Sequence, residues 1–138
     1  MEKTFTILKP DTVKAGNIGA IISQLEKEGF RIRAMKMVHL TEAQAQGFYY
    51  VHKERPFFGS LVKFMSEGPI VPMVLEADNA IEKLRKVMGA TDSKKAEAGT
   101  IRKQFGTDIE RNAIHGSDGP ETAAFEIAYF FSQLEVVG

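Results

Sequence analysis

Strand-like and helix-like patterns alternate along this chain, and their order constrains the fold more than any other feature of the sequence. Runs rich in β-branched and apolar residues predict strands over 4–9, 30–40, 69–77 and 112–117. Helical spacing of apolar residues predicts helices over 17–28, after Thr41, over 57–65, up to Gly89 and from about Pro120 to Phe131. The core of this order is βαββαβ, which predicts an α+β fold of the ferredoxin-like type, a sandwich of helices packed on an antiparallel sheet. An alternating βαβ order also suits a parallel sheet, and periodicity alone does not decide between the two.

Local signals predict where several of these elements begin and end. Pro10 is expected to stop the first strand, since proline has no backbone N–H for a strand ladder. Thr41 and Gln44 have the spacing of a capping box at a helix start. Pro72 suggests that its strand lies at a sheet edge or contains a bulge. Residues 90–111 are polar with little regular pattern, and they predict a long loop of a kind that is usually functional or disordered.

Length, charge and cysteine usage exclude several classes of protein. A chain of 138 residues is expected to form a single domain over 1–138. Its 18 basic and 18 acidic residues balance, which argues against a stable nucleic-acid partner or an anionic membrane but allows a local basic pocket. Cysteine is absent, which removes a thiol nucleophile and a cysteine-based zinc site. The N-terminus lacks a signal-peptide core and no apolar run approaches the about 20 residues of a membrane span, so we expect a cytoplasmic protein with no membrane partner.

The motif NAIHGSD, residues 112–118, contains the strongest candidate for chemistry. A histidine in a strand is, taken alone, more often structural than catalytic. His115, however, ends a predicted strand and precedes Gly116, next to which another group can approach closely. Glu126 follows on the adjoining helix; its carboxylate could orient the imidazole while the Ser117 hydroxyl holds that carboxylate.

Four polar residues elsewhere suggest phosphate binding, although each alone is more often a solvated side chain. Lys9 ends the first predicted strand, where its ammonium could reach a phosphate or a sugar hydroxyl. Arg85, Thr91 and Arg102 would form a polyphosphate clamp only if the fold brings them together. The sequence contains no GxxxxGK[ST] motif, which excludes a P-loop kinase.

The remaining histidines and a pair of phenylalanines have simpler interpretations. His39 and His52 have neither small neighbours nor an obvious carboxylate partner, so we interpret both as surface or packing residues. Phe57 and Phe58 lie beside Leu61 and would usually be core residues, but one of them could be the face on which a flat base stacks.

Several segments together carry a family resemblance that runs nearly end to end. The segments ILKPD, RPFFGSLVKFM, GTIRKQFG and NAIHGSD follow one another along the chain in this order, with GFYYVHKERP and MGATDSKKAEAGTIR beside them. With these segments the chain closely resembles the nucleoside diphosphate kinases. The resemblance implies a ferredoxin-like fold, a homo-oligomer of four or six subunits, and ping-pong transfer of the γ-phosphoryl group of a nucleoside triphosphate to a nucleoside diphosphate.

The resemblance also implies a catalytic set. His115 would be the nucleophile that carries the phosphoryl group, and Gly116 would leave room for the incoming phosphorus. Glu126, steadied by Ser117, would orient the ring, and the sequence leaves open which ring nitrogen reacts. The catalytic residues implied in this way are His115, Glu126, Ser117, Lys9 and Tyr49.

A nucleotide-binding set follows from the same resemblance. Arg85, Thr91 and Arg102 would hold the phosphates, and Lys9 and Asn112 would contact the ribose hydroxyls. An aromatic ring would stack on the base without reading its edge, which gives broad base tolerance. Mg²⁺ would arrive with the nucleotide, because no carboxylate cluster suggests a metal site on the protein. The nucleotide-binding residues implied are Lys9, Phe57, Leu61, Arg85, Thr91, Arg102 and Asn112.

Two alternatives compete with the enzyme. A ferredoxin-like binding module would hold nucleotide or RNA on its sheet or on Phe57 without turnover, and its binding would be indifferent to His115→Ala. A structural or regulatory oligomer would keep the fold without activity, although the site residues here are all of the types that the family uses.

Overall fold

The computed structural model describes all residues from Met1 to Gly138. The strands are β1 (Glu2–Leu8), β2 (Arg31–Met35), β3 (Val71–Ala77) and β4 (Ile114–Gly116). The helices are α1 (Pro10–Ala15), α2 (Ile18–Lys27), α3 (Glu42–Phe48), α4 (Phe58–Ser66), α5 (Ala80–Met88), α6 (Ile101–Phe105) and α7 (Pro120–Phe130). Short 3₁₀ turns occupy Tyr50–His52, Ser93–Lys95 and Gln133–Glu135. None of the helices combines the length and the apolar character that crossing a membrane requires.

The four strands form one sheet in the order β2-β3-β1-β4, and every neighbouring pair is antiparallel. This confirms the α+β prediction against a parallel sheet. The short strand β4 lies at an edge, where His115 is paired with Ile7 of the inner strand β1. The register therefore attaches the predicted nucleophile directly to a central strand.

Side chains alternate between the two faces of the sheet and build a separate apolar cluster on each. Phe5 and Ile7 of β1 pack with residues of α3, α4 and α7 on one face. Leu8 of β1 and Leu75 of β3 pack with residues of α2, α5 and α6 on the other. Since helices cover both faces of the sheet, polar side chains can come together at the end of β4.

Two short helices were missed by the sequence patterns. Pro10 does more than end a strand: it is the first residue of α1, a position at which its missing N–H costs nothing. Residues 90–111, predicted as a loop, contain the five-residue helix α6, whose N-cap Thr100 accepts from the Lys103 N–H. Helices of five or six residues are too short to show a repeating apolar period. The predicted capping box of Thr41 and Gln44 is present and confirmed.

Pro72 lies in the inner strand β3, so the prediction of an edge or a bulge at this residue was wrong. Its carbonyl oxygen accepts from the Lys36 N–H at 3.2 Å. In an antiparallel sheet the backbone N–H and C=O of one residue point to the same neighbouring strand. The position where Pro72 lacks an N–H therefore points to the chain just beyond Met35, where β2 ends. The irregular register lies instead in β2, between Ile32 and Ala34.

Candidate active site

A cavity of about 590 Å³ opens between the α3–α4 hairpin and the end of β4. Every residue of the predicted catalytic and nucleotide-binding sets lines this cavity except Ser117, which is fully buried behind it. The fold thus joins residues that are far apart in the chain, from Lys9 to Glu126. The sequence predicted a phosphate clamp only if the fold brings Arg85, Thr91 and Arg102 together. All three residues line this cavity.

A carboxylate orients the His115 ring. Nε2 of His115 lies 2.8 Å from Oε1 of Glu126, and the Ser117 hydroxyl donates to the same oxygen at 2.6 Å. Because a carboxylate accepts, Nε2 carries a proton, and in the neutral ring Nδ1 is then the nitrogen with the lone pair. Nδ1 has no hydrogen-bond partner in the protein and is not among the buried unpartnered atoms. This geometry leaves Nδ1 as the ring nitrogen without a protein partner.

The surroundings of His115 hold both its backbone and its ring. The Thr6 hydroxyl donates to the His115 carbonyl oxygen at 2.6 Å. The rings of Phe5, Phe48 and Tyr49 meet the imidazole edge-on, with centroid distances of 6.3, 5.7 and 6.2 Å. Burial raises the pKa of the Tyr49 phenol, whose hydroxyl has no partner in the protein. The imidazole is therefore confined on its aromatic sides and open toward the cavity.

The residue two positions before the histidine has a strained backbone. Ala113 has a φ of +74°, a region that L side chains rarely adopt. Asp11 accepts its N–H at 3.0 Å, while the Thr12 hydroxyl and the Lys9 N–H donate to its carbonyl oxygen at 2.8 and 2.9 Å. Three residues within the stretch 9–12 at the β1–α1 junction thus hold both polar groups of Ala113. No sequence pattern identified Asp11 or Thr12 in this role.

Gly116 was expected to leave room for an incoming phosphorus atom, but the structure gives a different reason for a glycine at this position. A Cβ at this position would lie 2.6 Å from Sδ of Met88 and 3.1 Å from Cδ2 of Leu84, both on α5. The glycine therefore allows α5 to pack closely on β4, and it does not make room for a phosphorus atom in the cavity. This packing also brings Arg85 of α5 within 3.4 Å of the Gly116 carbonyl oxygen.

Lys9 is a buried cation at the inner side of the cavity. Its Nζ donates to Oδ1 of Asn112 at 2.7 Å and to the Glu110 carbonyl oxygen at 3.3 Å. Burial, reinforced by the nearby positive charge of Arg102, lowers the pKa of Lys9 to about 8. Asn112 is fixed in turn, since its amide donates to the Thr91 carbonyl oxygen at 2.9 Å.

Arg102 is the second buried cation, and only 5% of its surface is exposed. It donates to the carbonyl oxygens of Gly89 at 3.1 Å and Ile114 at 2.8 Å, whereas its Nε is buried without a partner. Burial, with the charge of Arg85 as a smaller cause, lowers the pKa of Arg102 to about 10. Positive charges that destabilise one another in this way are stabilised by an anionic ligand.

The opposite end of the cavity is apolar and exposed. Phe57 and Ile109 are 45% and 63% exposed, and both line the cavity with Leu61. His52, predicted to be a surface or packing residue, also lines it and packs against Phe57 with a centroid distance of 5.6 Å. The cavity residues that sequence reasoning did not select are Phe48, Val51, His52, Ile109, Glu110, Asp118 and Thr122. They lie within or beside the segments of the resemblance, but no pattern distinguished them from neighbouring residues.

The acidic side chains of the cavity are already engaged with other protein groups. Glu126 accepts from His115 and Ser117, Glu110 accepts from Ser60, and Asp118 accepts from Thr122. No group of three or more His, Asp or Glu side chains has the geometry to hold a metal ion.

The geometry defines a class of protein. A histidine held at one ring nitrogen and free at the other faces a cavity with cations at one end and an apolar face at the other. This arrangement suits a phosphotransferase that acts on nucleotides. Comparisons with known proteins agree: residues 2–136 match the nucleoside diphosphate kinase family.

The chain belongs to the nucleoside diphosphate kinase family, and it is an enzyme, a nucleotide-binding kinase. It is 60% identical over 138 residues to the nucleoside diphosphate kinase of Desulforapulum autotrophicum, covering 100% of both chains. It is also 60% identical over 137 residues to the nucleoside diphosphate kinase of Geobacter sulfurreducens, covering 99% of this chain and 100% of the relative.

Solved structures of relatives confirm the ferredoxin-like fold. A crystal structure of the Aquifex aeolicus nucleoside diphosphate kinase has a TM-score of 0.96 at 50% identity and covers 99% of each chain. The halophilic nucleoside diphosphate kinase of Halobacterium salinarum, solved in complex with CDP, has a TM-score of 0.95 at 41% identity. That match covers 99% of this chain and 91% of the other.

Proposed function

We propose that this protein transfers the γ-phosphoryl group of a nucleoside triphosphate to a nucleoside diphosphate by a ping-pong mechanism, with a phosphohistidine on His115 between the two half-reactions. One observation carries the proposal. Nε2 of His115 is held by Glu126 at 2.8 Å, which leaves Nδ1 without a protein partner. The cations Lys9, Arg85 and Arg102 line the same cavity. Nucleophile, orienting carboxylate and cations are the parts that phosphoryl transfer through a histidine requires.

In the first half-reaction the Nδ1 lone pair attacks the γ-phosphorus. A P–N bond forms while the bond from the γ-phosphorus to the bridging oxygen breaks, and the nucleoside diphosphate leaves with that electron pair. The proton on Nε2 stays hydrogen-bonded to Glu126, whose charge stabilises the positive ring. A second nucleoside diphosphate then attacks the phosphohistidine in the reverse sense. Neutral imidazole is nucleophilic near pH 7, so the step needs no strong base.

The cations bind the phosphates. Arg102, Arg85 and Thr91, which line the cavity together, would contact the phosphate chain. Mg²⁺ would enter with the substrate and would neutralise part of the phosphate charge. Lys9 and Asn112, joined at 2.7 Å, would contact the ribose hydroxyls. Tyr49 would lie beside Lys9 and His115, whose ring it meets with a centroid distance of 6.2 Å.

The exposed end would take the base. Phe57 and Leu61 offer apolar surface, and stacking accepts every base because each has a π-face. Broad base tolerance follows from this chemistry. The CDP held by the Halobacterium salinarum relative supports a nucleotide ligand for a fold of this kind.

Assembly and location are also parts of the proposal. We expect residues 1–138 to act as a single domain, in a homo-oligomer of four or six copies, in the cytoplasm. The family membership supports these expectations. Sedimentation of the purified protein gives the number of copies directly.

The experiment that tests the mechanism uses ATP labelled on its γ-phosphate, with Mg²⁺ and no acceptor. The protein is isolated without acid, since phosphohistidine is acid-labile, and the label is mapped by mass spectrometry. Label on His115 that moves to GDP, CDP and UDP on addition would support both half-reactions and the base tolerance. Bound nucleotide without label would leave a binding protein and refute the mechanism.

A further inference from the structure

Helix α4 and the segment that precedes β4 contact each other at the edge of the cavity, which Glu110 also lines, through two pairs of side chains. The Ser60 hydroxyl lies 3.0 and 2.8 Å from the two carboxylate oxygens of Glu110. Arg111 donates from its two terminal nitrogens to both carboxylate oxygens of Glu67, at 3.2 and 3.0 Å. None of these four side chains takes part in the transfer described above.

The two pairs act on one face of α4. Ser60, Phe64 and Glu67 follow the i, i+4, i+7 spacing that places side chains on the same side of a helix. The buried ring of Phe64 lies under the guanidinium of Arg111, with 4.5 Å between them. The consecutive residues Glu110 and Arg111 are therefore held over two turns of the helix.

The segment held in this way is stiff. Oδ1 of Asp108 accepts the backbone N–H groups of Glu110 and Arg111 at 2.9 and 2.7 Å. The N–H of Thr107 donates to the Arg111 carbonyl oxygen at 2.7 Å. A displacement of the Glu110 or Arg111 side chain would therefore move the whole turn, including Ile109.

The two contacting elements are opposite walls of the cavity. Helix α4 carries Leu61 and begins next to Phe57, whereas the turn carries Ile109 and leads into Asn112. A base would enter between the exposed ring of Phe57 and the exposed side chain of Ile109. These two side chains belong to the two elements that the Ser60–Glu110 and Glu67–Arg111 pairs join. The phosphate end is held separately, through carbonyl oxygens of β4 and of Gly89.

We propose that Ser60–Glu110 and Glu67–Arg111 form a clasp that sets the width of the cavity at its nucleoside end. These four side chains are positioning residues: they act through Phe57 and Ile109 and touch no reacting atom. The inference rests on the proposed function in placing the nucleoside at this end. Loss of the clasp weakens the binding of a nucleotide but leaves the binding of a ligand without a base unchanged.

The test compares two ligands on the full-length protein by calorimetry: ADP, which has a base and a ribose, and inorganic triphosphate, which has neither. The variant is Ser60→Ala with Glu67→Lys, which removes one contact and makes the other repulsive while keeping the backbone bonds of the turn. We expect the Kd of ADP to rise about three- to tenfold and that of triphosphate to stay unchanged. At saturating nucleotide kcat is retained, so the loss appears in KM.

Two controls keep the result specific. Lys63→Ala changes the same helix at a side chain that has no hydrogen bond or ion pair, and it should match the wild type for both ligands. Ser60→Thr restores a hydroxyl at that position and, with Glu67 intact, should restore ADP binding. Thermal unfolding of each variant checks that the fold persists.

Two results overturn the clasp. An equal loss of ADP and triphosphate would show that the pairs support the whole site, and no loss of either would show that they hold nothing. Because the readout is binding, it does not depend on turnover. A wild-type protein that bound ADP but never became phosphorylated would refute the proposed mechanism and leave this comparison intact.

Discussion

The two ends of the cavity differ in how firmly they are built. At the histidine end, Glu126 and Arg102 are 6% and 5% exposed, Ser117 is fully buried, and every one of them is hydrogen-bonded to a neighbour. At the base end, Phe57 and Ile109 are 45% and 63% exposed. The first end is continuous with the sheet through β4, whereas the second is formed by a helix start and a turn.

This difference matches the task that we propose for each end. Phosphoryl transfer depends on position and charge, and small displacements of the reacting atoms are costly. Stacking on a base is tolerant of small shifts and of base identity. A buried, hydrogen-bonded end therefore suits chemistry, and an exposed apolar end suits a range of bases. The predictions below probe this division, starting with the largest effect.

His115→Ala is expected to abolish transfer. Removing a nucleophile costs about 10⁴-fold or more in kcat, because no neighbouring group replaces it. Nucleotide binding should survive, since the cations and the base end are unchanged. Stopped-flow assays with ATP and GDP measure the rate, and circular dichroism verifies the fold. A variant that still turned over would remove His115 from the mechanism.

Arg102→Ala is expected to lower kcat by about 10²–10³-fold, as for the loss of one donor to a developing anion. The same change leaves the carbonyl oxygens of Gly89 and Ile114 without this partner, so stability should fall as well. Lysine at this position keeps the charge but not the planar set of donors, and it should recover only part of the rate. Unchanged kinetics for either variant would exclude Arg102 from the site.

Asp11→Ala tests whether the histidine end needs its backbone support. The buried N–H of Ala113 would lose its acceptor, which costs about 1–3 kcal/mol of folding free energy. Ala113→Gly should act in the opposite direction, stabilising by up to about 1 kcal/mol, because glycine accepts a φ of +74° without strain. Urea unfolding of the two single variants and the double variant measures both effects. Equal stability of Asp11→Ala and the wild type would show that the Asp11 contact contributes nothing.

The role of Asp11 also shows where sequence reasoning ends. The order of strands and helices fitted an antiparallel sheet without excluding a parallel one, and the resemblance selected residues that nearly all line one cavity. The strain at Ala113 and the packing reason for Gly116 depend on how β1 and α5 meet β4, which is a matter of tertiary contact. Pro72 was misjudged for a similar reason, since what a proline disrupts depends on which neighbour its missing N–H faces.

Phe57→Ala tests the base end. Loss of a stacking surface costs about 1–3 kcal/mol per base, so KM should rise about tenfold or more with kcat nearly kept. The rise should be similar for ADP, GDP, CDP and UDP, because every base presents a π-face. Phe57→Leu keeps apolar area without an aromatic face and should give an intermediate KM. A rise confined to a single base would indicate that the base edge is read, against the tolerance proposed here.

The smallest effect expected comes from the titration of Lys9, whose pKa is lowered to about 8 from 10.5 by burial and by Arg102. Above pH 8 the folded protein loses the ammonium that would contact the ribose, so kcat/KM should fall by at most about tenfold from pH 7 to 9. Stability changes in the opposite direction. Between pH 8 and 10.5 the unfolded chain keeps a proton that the folded protein has released, so the Lys9 contribution to the free energy of unfolding rises with pH. Lys9→Met should remove both dependences, and the difference from the wild type isolates Lys9 from other groups that titrate there. If kcat/KM and stability instead moved in the same direction with pH, the buried cation would not be the group that titrates.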